Sequence, residues 1–289
     1  MHALSTKVGA LLAEVVTHIE PVSGGDINRA YALTLTSGRR LFAKTHASAL
    51  PKVFVREAEG LAWLSEARAL RVPEVLAASE ADELGPACLV LEYIAPGPRT
   101  GGYSEAFGRG LAALHKSGAP CLGLATPNYL ATLPQDNTPS KSWPRFYAER
   151  RLTPLLALAA QRGDLSSSVA ARLRQLCERM EMFCGDPEPP ARLHGDLWGG
   201  NALAAESGEP VVIDPAVYGG HREIDLAMMQ LFGGFDRRVF QAYDDVYPRQ
   251  AGHAERLALY QLYPLLAHVC LFGSSYTPQL DRALSRYVR

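Results

Sequence analysis

Apolar and polar positions change their rhythm partway along the chain. From Ile19 to Lys44 they alternate: H-I-E-P-V, a glycine pair, A-Y-A-L-T-L-T, a Ser37-Gly38 turn, then R-L-F-A-K. Period two around small turns predicts a β-hairpin. Between Pro51 and Arg68, Phe54, Ala58, Leu61 and Leu64 recur three to four residues apart, which predicts an amphipathic helix opened by proline. Two strands follow, V-P-E-V-L-A-A and P-A-C-L-V-L-E-Y-I. The A-P-G-P stretch at Ala95 to Pro98 then breaks the pattern and reads as a hinge or linker. Beyond it helical spacing dominates: Tyr103 to Lys116, Trp143 to Gln161, Ser166 to Phe183, Ile224 to Phe232, Asp236 to Tyr247 and Ala254 to Phe272. Two short apolar runs, A-R-L-H at Ala191 and P-V-V-I-D at Pro210, interrupt the helices. The pattern predicts an α+β chain with a small β-rich lobe over residues 1–94 and a larger helical lobe over 95–289.

Composition narrows the partners. Of 289 residues, 47% are apolar and 20% charged, ordinary globular usage that excludes disorder as the default. Lys plus Arg number 29 and Asp plus Glu 30, a net charge of −1. Such a chain has no bulk electrostatic pull toward nucleic acid or an acidic membrane. An anion must be held by local geometry. Five scattered cysteines without a C-x-x-C pair fit a reducing compartment rather than a disulfide framework or a cysteine-built zinc site. Met1 to Glu20 lacks a signal-type apolar core, and Leu262 to Phe272 is too short to span a bilayer and carries Pro264 and His268. The expectation is a soluble, cytoplasmic protein.

The sharpest chemical signal is H-G-D-L-W-G-G-N, from His194 to Asn201, with V-V-I-D-P placing Asp214 thirteen residues beyond Asn201. His-x-Asp-x4-Asn followed by a second aspartate is the constellation that phosphoryl transfer requires. Asp196 would orient and deprotonate the attacking hydroxyl, while Asn201 and Asp214 would hold Mg2+, a cation that prefers oxygen ligands. Each of these has a plain alternative as a helix cap or turn residue; the three in order favour the functional reading over it. ATP would be cradled by the small lobe. Lys44 ends a strand, and Glu57 lies thirteen residues on, spaced to hold a phosphate-binding lysine; Glu59 falls nearly on the opposite helical face. An ordinary surface ion pair has the same spacing. Gly24, Gly25 and Asn28 lie in the first hairpin, where a phosphate-covering turn would sit, although a Gly-Gly pair also makes a simple turn. No G-x-x-x-x-G-K-[ST] exists, which excludes P-loop NTPases. Backbone at Glu92, Tyr93 and Ile94 could pair with an adenine edge, or the segment could be a plain buried strand.

H-G-D-L-W-G-G-N followed by V-V-I-D-P-A-V-Y-G-G-H-R-E-I-D-L-A-M-M-Q-L-F-G-G-F closely resembles the fructosamine kinase (ketosamine 3-kinase) family. So do S-G-G-D-I-N-R-A-Y-A-L, F-V-R-E-A-E-G-L, L-A-A-L-H-K-S and W-P-R-F-Y-A-E-R-R-L-T-P-L, which extends the resemblance over nearly the whole chain. It implies a bilobal, protein-kinase-like fold of the aminoglycoside-phosphotransferase branch. It also implies an ATP-dependent kinase of the sugar 3-hydroxyl of ketosamines, serving deglycation because the 3-phosphate product sheds its sugar. Carried over, Asp196 is the base, Asn201 and Asp214 hold magnesium, and Lys44 with Glu57 positions phosphates. Trp198 could stack on the sugar or its amine, or pack into the core. His221 could face substrate or be a satisfied buried histidine. Asp225 resembles the aspartate that hydrogen-bonds the catalytic-loop backbone, and His194 a residue that braces that loop. Some members carry cysteine where this chain has Asp26, so no redox switch is expected at that turn.

Other readings are a phosphotransferase of the same fold acting on an aminoglycoside or choline-like hydroxyl, and a nucleotide-binding pseudokinase scaffold. The first lacks support because D-P-x-x-Y-x-G-H-R-E does not belong to aminoglycoside enzymes. The second is disfavoured because Lys44, Asp196, Asn201 and Asp214 are all retained. A protein kinase is disfavoured because no A-P-E follows Asp214. Expected partners are a small-molecule ketosamine or a glycated protein, with no nucleic acid or membrane, on a monomer or weak homodimer.

Overall fold

The alternation over the first third of the chain does form strands, and they assemble into one sheet. A computed structural model describes residues 2–22, 28–46 and 48–288. Residue contacts divide these into one unit of Met1–Tyr103 with Asn201–Pro215 and a second of Ser104–Gly200 with Ala216–Arg289. The stretch from 201 to 215 thus packs with the N-terminal part, which a cut at residue 94 does not anticipate.

In the first unit, α1 (His2–Leu12) leads into β1 (Val16–Val22), β2 (Arg29–Leu35) and β3 (Arg40–Thr45), then α2 (Val53–Ser65), β4 (Val75–Ser79) and β5 (Cys88–Glu92). The strands form an antiparallel sheet in the order β1-β2-β3-β5-β4. From Cys88 to Leu91, β5 is apolar without interruption because both its faces are covered. Cys88 and Val90 join Leu33, Leu41 and the α1 residues Leu4 and Val8, while Leu89 and Leu91 join Phe54 and Leu61 of α2. Pro51 does not open α2 from within; it lies in the turn before Lys52, the left-handed residue that caps the helix. Helix α1 is not foreshadowed in the sequence pattern, because Lys7 occupies its buried face. The Lys7 ammonium is 1% exposed, pairs with Asp82 at 3.1 Å and donates to the Glu80 and Gly85 carbonyls.

The A-P-G-P stretch is not a free linker. The Glu206 N–H donates to the Ala95 carbonyl and the Gly97 N–H to the Ala204 carbonyl, both at 2.8 Å. A Cβ on Gly97 would stand 2.5 Å from the Ala205 oxygen, so this close approach requires glycine.

The second unit is mostly helical. Its elements are α3 (Tyr103–Lys116, whose first residue belongs to the first unit), β6 (Asn128–Leu130), β7 (Leu133–Gln135), α4 (Trp143–Phe146), α5 (Thr153–Arg162), α6 (Ser167–Glu178), β8 (Ala191–Leu193), then, beyond the inserted hairpin β9 (Ala202–Ala204) and β10 (Pro210–Val212) of the first unit, β11 (Tyr218–Gly220), α7 (Glu223–Phe232), α8 (Arg237–Val246), α9 (His253–Phe272) and α10 (Thr277–Leu284). The expected helix from Trp143 to Gln161 changes pitch: a π-helical segment, Tyr147–Leu152, separates α4 from α5. Its core gathers Phe146, Leu173, Leu259, Leu266 and Leu280 around α9. Among the described residues, no helix is long and apolar enough to cross a membrane.

Candidate active site

The β9–β10 hairpin brings two motif residues to one end. Its register pairs Ala202 with Val212, and one step on the Ile213 N–H donates to the Asn201 carbonyl at 3.1 Å. Asn201 and Asp214 therefore sit together at the hairpin's open end. An amide and a carboxylate form a hard-oxygen donor pair, the kind Mg2+ takes alongside phosphate oxygens. Asp214 holds φ at 56°, in the left-handed region, directly before Pro215. Such a conformation costs about 1–3 kcal/mol and persists only where its surroundings impose it, and strain of this kind concentrates at functional sites.

Asp214 also meets the small-lobe cation. Lys44 Nζ donates to Glu57 Oε1 at 2.8 Å and to Asp214 Oδ1. Burial works against the ammonium charge, but Glu57 and Asp214 outweigh it and hold the Lys44 pKa above its ordinary value. Burial raises the Glu57 pKa; Lys44 opposes that rise and Asp214 reinforces it. Glu59 faces away and pairs with Arg56 at 2.6 Å.

Asp196 belongs to the second unit, on the loop after β8. The loop is held from below. Asp225, at the start of α7, accepts from the N–H groups of His194 (Oδ2, 2.8 Å) and Gly195 (Oδ1, 2.9 Å), and His115 Nε2 bonds Oδ2 as well, at 3.1 Å. The Tyr243 hydroxyl lies 2.8 Å from His115 Nδ1. Burial pushes the Asp225 pKa up, but these partners prevail and it stands below the ordinary carboxylate value. Gly195 has φ 82°, and a Cβ there would lie 2.0 Å from the Ala216 oxygen, so only glycine fits. His194 is buried, and its Nδ1 accepts from the Asp196 N–H at 3.3 Å. Both Asp225 and His194 thus brace the loop, as the resemblance implies.

A model of the fructosamine kinase family matches residues 2–289. This chain belongs to the fructosamine kinase family. It is 38% identical over 281 residues to a chloroplastic protein-ribulosamine 3-kinase of Arabidopsis thaliana, covering 96% of this chain and 84% of that one. A solved structure of a putative fructosamine-3-kinase from Thermobifida fusca superposes with a TM-score of 0.91 at 39% identity, over 99% of this chain and 98% of that one. A choline kinase from Streptococcus pneumoniae, 17% identical, superposes with a TM-score of 0.64 over 98% of this chain and 96% of that one, which places the fold among protein-kinase-like enzymes. As a member of that family the chain is an ATP-dependent phosphotransferase.

Other expected site residues of this fructosamine kinase family chain are placed less uniformly. Trp198 is 42% exposed, and its ring covers Gly200, where a Cβ would meet the indole at 2.3 Å. This exposed aromatic face is not a core residue. Asn28 is half-buried just before β2; Gly24 and Gly25 lie outside the described residues. Glu92 ends β5: its N–H donates to the Glu74 carbonyl at 2.9 Å and its carboxylate pairs with Arg71, so these two groups serve the sheet. Tyr93 lies beneath the Arg40 guanidinium, 4.1 Å from its ring centre, and Ile94 is half-buried beside it. His221 is a correction. It is 4% exposed, stacked on Tyr260 at 5.1 Å and near Trp143, with Nδ1 accepting the Glu223 N–H. Burial lowers its pKa to about 4. The G-H-R-E motif is structural throughout: Arg222 forks onto Glu188 at 2.7 and 2.9 Å, and Arg256 onto Glu223 at 2.7 and 2.9 Å.

Two groups escape a sequence reading. His115 lies in the quoted L-A-A-L-H-K-S segment, and its signal is a histidine on the apolar face of an amphipathic helix. Arg151 is a charge inside the apolar phase of the Trp143 helix, 1% exposed.

Proposed function

We propose that this chain transfers the γ-phosphoryl group of ATP to the 3-hydroxyl of a ketosamine, a sugar–amine adduct of the ribulosamine or fructosamine type, in deglycation. The observation that carries the reading is Lys44 bridging Glu57 and Asp214 within a chain of the fructosamine kinase family. The Arabidopsis relative is a protein-ribulosamine 3-kinase, which supports an adduct of that class.

In this reading Lys44 steers the α- and β-phosphates, and Glu57 keeps it aimed once Asp214 lets go. Asp214 Oδ1 accepts from Lys44, so the ammonium would turn from carboxylate to phosphate when Asp214 holds a cation instead. Asn201 and Asp214 would hold Mg2+, which when bound neutralises charge on the β- and γ-phosphate oxygens. Backbone of the Glu92 to Ile94 segment, apart from the Glu92 N–H that the sheet uses, offers itself to adenine. Asp196 accepts the proton of the attacking hydroxyl, and Trp198 offers its exposed face to the sugar or its amine. Positioning and charge neutralisation supply the rate. Five free thiols support a reducing, cytoplasmic setting.

The test is Mg2+-dependent ATP consumption with ribulosyl-, erythrulosyl- and fructosyl-lysine, kanamycin and choline, wild type beside Asp196→Asn. Turnover of a ketosamine should fall by about 10²–10⁴-fold in the variant, the range for losing a general base, while ATP still binds. Turnover of kanamycin or choline alone would keep the fold and overturn the substrate.

A further inference from the structure

Beneath the Asp196 loop lies a chain of polar side chains that the proposed chemistry leaves unexplained. The Arg151 guanidinium, on the π-helical segment, rests on the Tyr218 ring at 3.9 Å and donates to the Asp136 and Arg150 carbonyls and to Asn137 Oδ1 at 2.6 Å. Its acceptors are carbonyl and amide oxygens rather than a carboxylate. Asn137 Nδ2 then donates to Asn128 Oδ1 at 2.8 Å, which also accepts from Gln135 Nε2 at 3.2 Å. The Tyr263 hydroxyl, 2.8 Å from Gln135 Oε1, fixes the other side of that amide.

The chain ends on two backbone carbonyls. Gln135 Nε2 reaches the Ala216 oxygen at 3.3 Å and Asn128 Nδ2 the Val217 oxygen at 2.8 Å. Ala216 is the strut of the loop: its N–H donates to the His194 carbonyl at 2.9 Å, and Gly195 lies against its carbonyl. Burying a guanidinium without a carboxylate is expensive, and an apolar filling of similar volume would stabilise the fold at least as well. An apolar filling cannot, however, fix the direction of a carbonyl. The π-helical turn that delivers Arg151 is likewise a distortion frequent at functional sites.

We propose that Asn128, Gln135, Asn137, Arg151 and Tyr263 are positioning residues for phosphoryl transfer, an amide relay that fixes the Ala216 strut and through it the setting of the Asp196 loop. All five are buried. The proposal rests on the kinase reading above.

Gln135→Met keeps the volume and removes the donor to Ala216. It should lower kcat for the ketosamine by about tenfold to a hundredfold, the cost of an ångström-scale misplacement, leave KM for ATP unchanged, and speed hydrogen exchange at the His194 and Gly195 amides. Tyr263→Phe removes only the outer hydroxyl and should shift the same readouts less. Wild-type kcat and exchange in folded Gln135→Met would overturn the proposal. Should that variant fail to fold, Tyr263→Phe decides by the same exchange readout. If the wild type turns over no ketosamine, the substrate reading fails while exchange at the loop still judges the relay.

Discussion

Lys44 and Asp225 are both buried charged residues, yet their surroundings are built to opposite ends. Around Lys44 two carboxylates share one ammonium, and Asp214 remains 36% exposed on a strained backbone. Around Asp225 the carboxylate is fully enclosed, and two loop N–H groups and His115 hold both its oxygens. The first arrangement has an exchangeable partner, as suits a group that must turn to a ligand. The second is tied to buried backbone, as suits a group that must keep still. In this chain a buried charge signals a ligand site where one of its partners is redundant and exposed, and a brace where its partners are all buried.

The widest gap should come from paired aspartate variants. Asp225→Ala leaves two buried N–H groups and His115 without their acceptor and should cost about 3–5 kcal/mol, the penalty for breaking a buried charged network, read by denaturant unfolding. Asp214→Asn should change stability little, since Lys44 keeps Glu57 and asparagine tolerates a left-handed φ, yet reduce turnover by about 10²-fold or more. Equal stability losses in the two variants would erase the distinction.

What the sequence made legible follows the same division. Lys44, Glu57, Asn201 and Asp214 could be named because their chemistry dictates residue type and order, and a strand lysine facing a helix glutamate follows from spacing. His221 was assigned toward substrate because motif membership carries no information about which way a side chain points. Helix α1 stayed hidden because Lys7 interrupts its apolar face, and its burial depends on carbonyls some 73 to 78 residues away. The β6–β7 hairpin is three residues a side, too short for alternation to register. The amide relay was invisible for a related reason: its members are scattered from 128 to 263, and only the fold assembles them.

His221 sharpens the second class of site by pH. Its folded pKa, about 4, lies below the ordinary 6.5, since burial favours the neutral ring despite Glu223 and Glu188 and alongside Arg256 and Arg222. Between those values the unfolded chain binds the extra proton, so stability is lost as pH falls from about 6.5 toward 4, by up to ~3 kcal/mol. His221→Phe should flatten that slope in melting curves recorded between pH 7 and 5. An unchanged slope would mean that the ring takes up a proton without leaving its aromatic stack.

The smallest effect separates two glutamates one helical half-turn apart. Glu57 shares the Lys44 ammonium, whereas Glu59 makes only an i,i+3 pair with Arg56 and is half exposed. Glu59→Gln should move stability by less than about 0.5 kcal/mol, as exposed helix pairs do, and leave KM for ATP alone. Glu57→Gln should raise KM for ATP, because Lys44 then leans wholly on Asp214 and the ammonium is drawn off the phosphate path. Stability need not fall with it: the amide still accepts a hydrogen bond from Lys44, and a buried carboxylate is removed. A variant that loses nucleotide affinity while keeping its melting temperature is the signature expected of a ligand-poised charge. The reverse result, with Glu59 governing affinity, would mean that α2 presents its other face to the nucleotide.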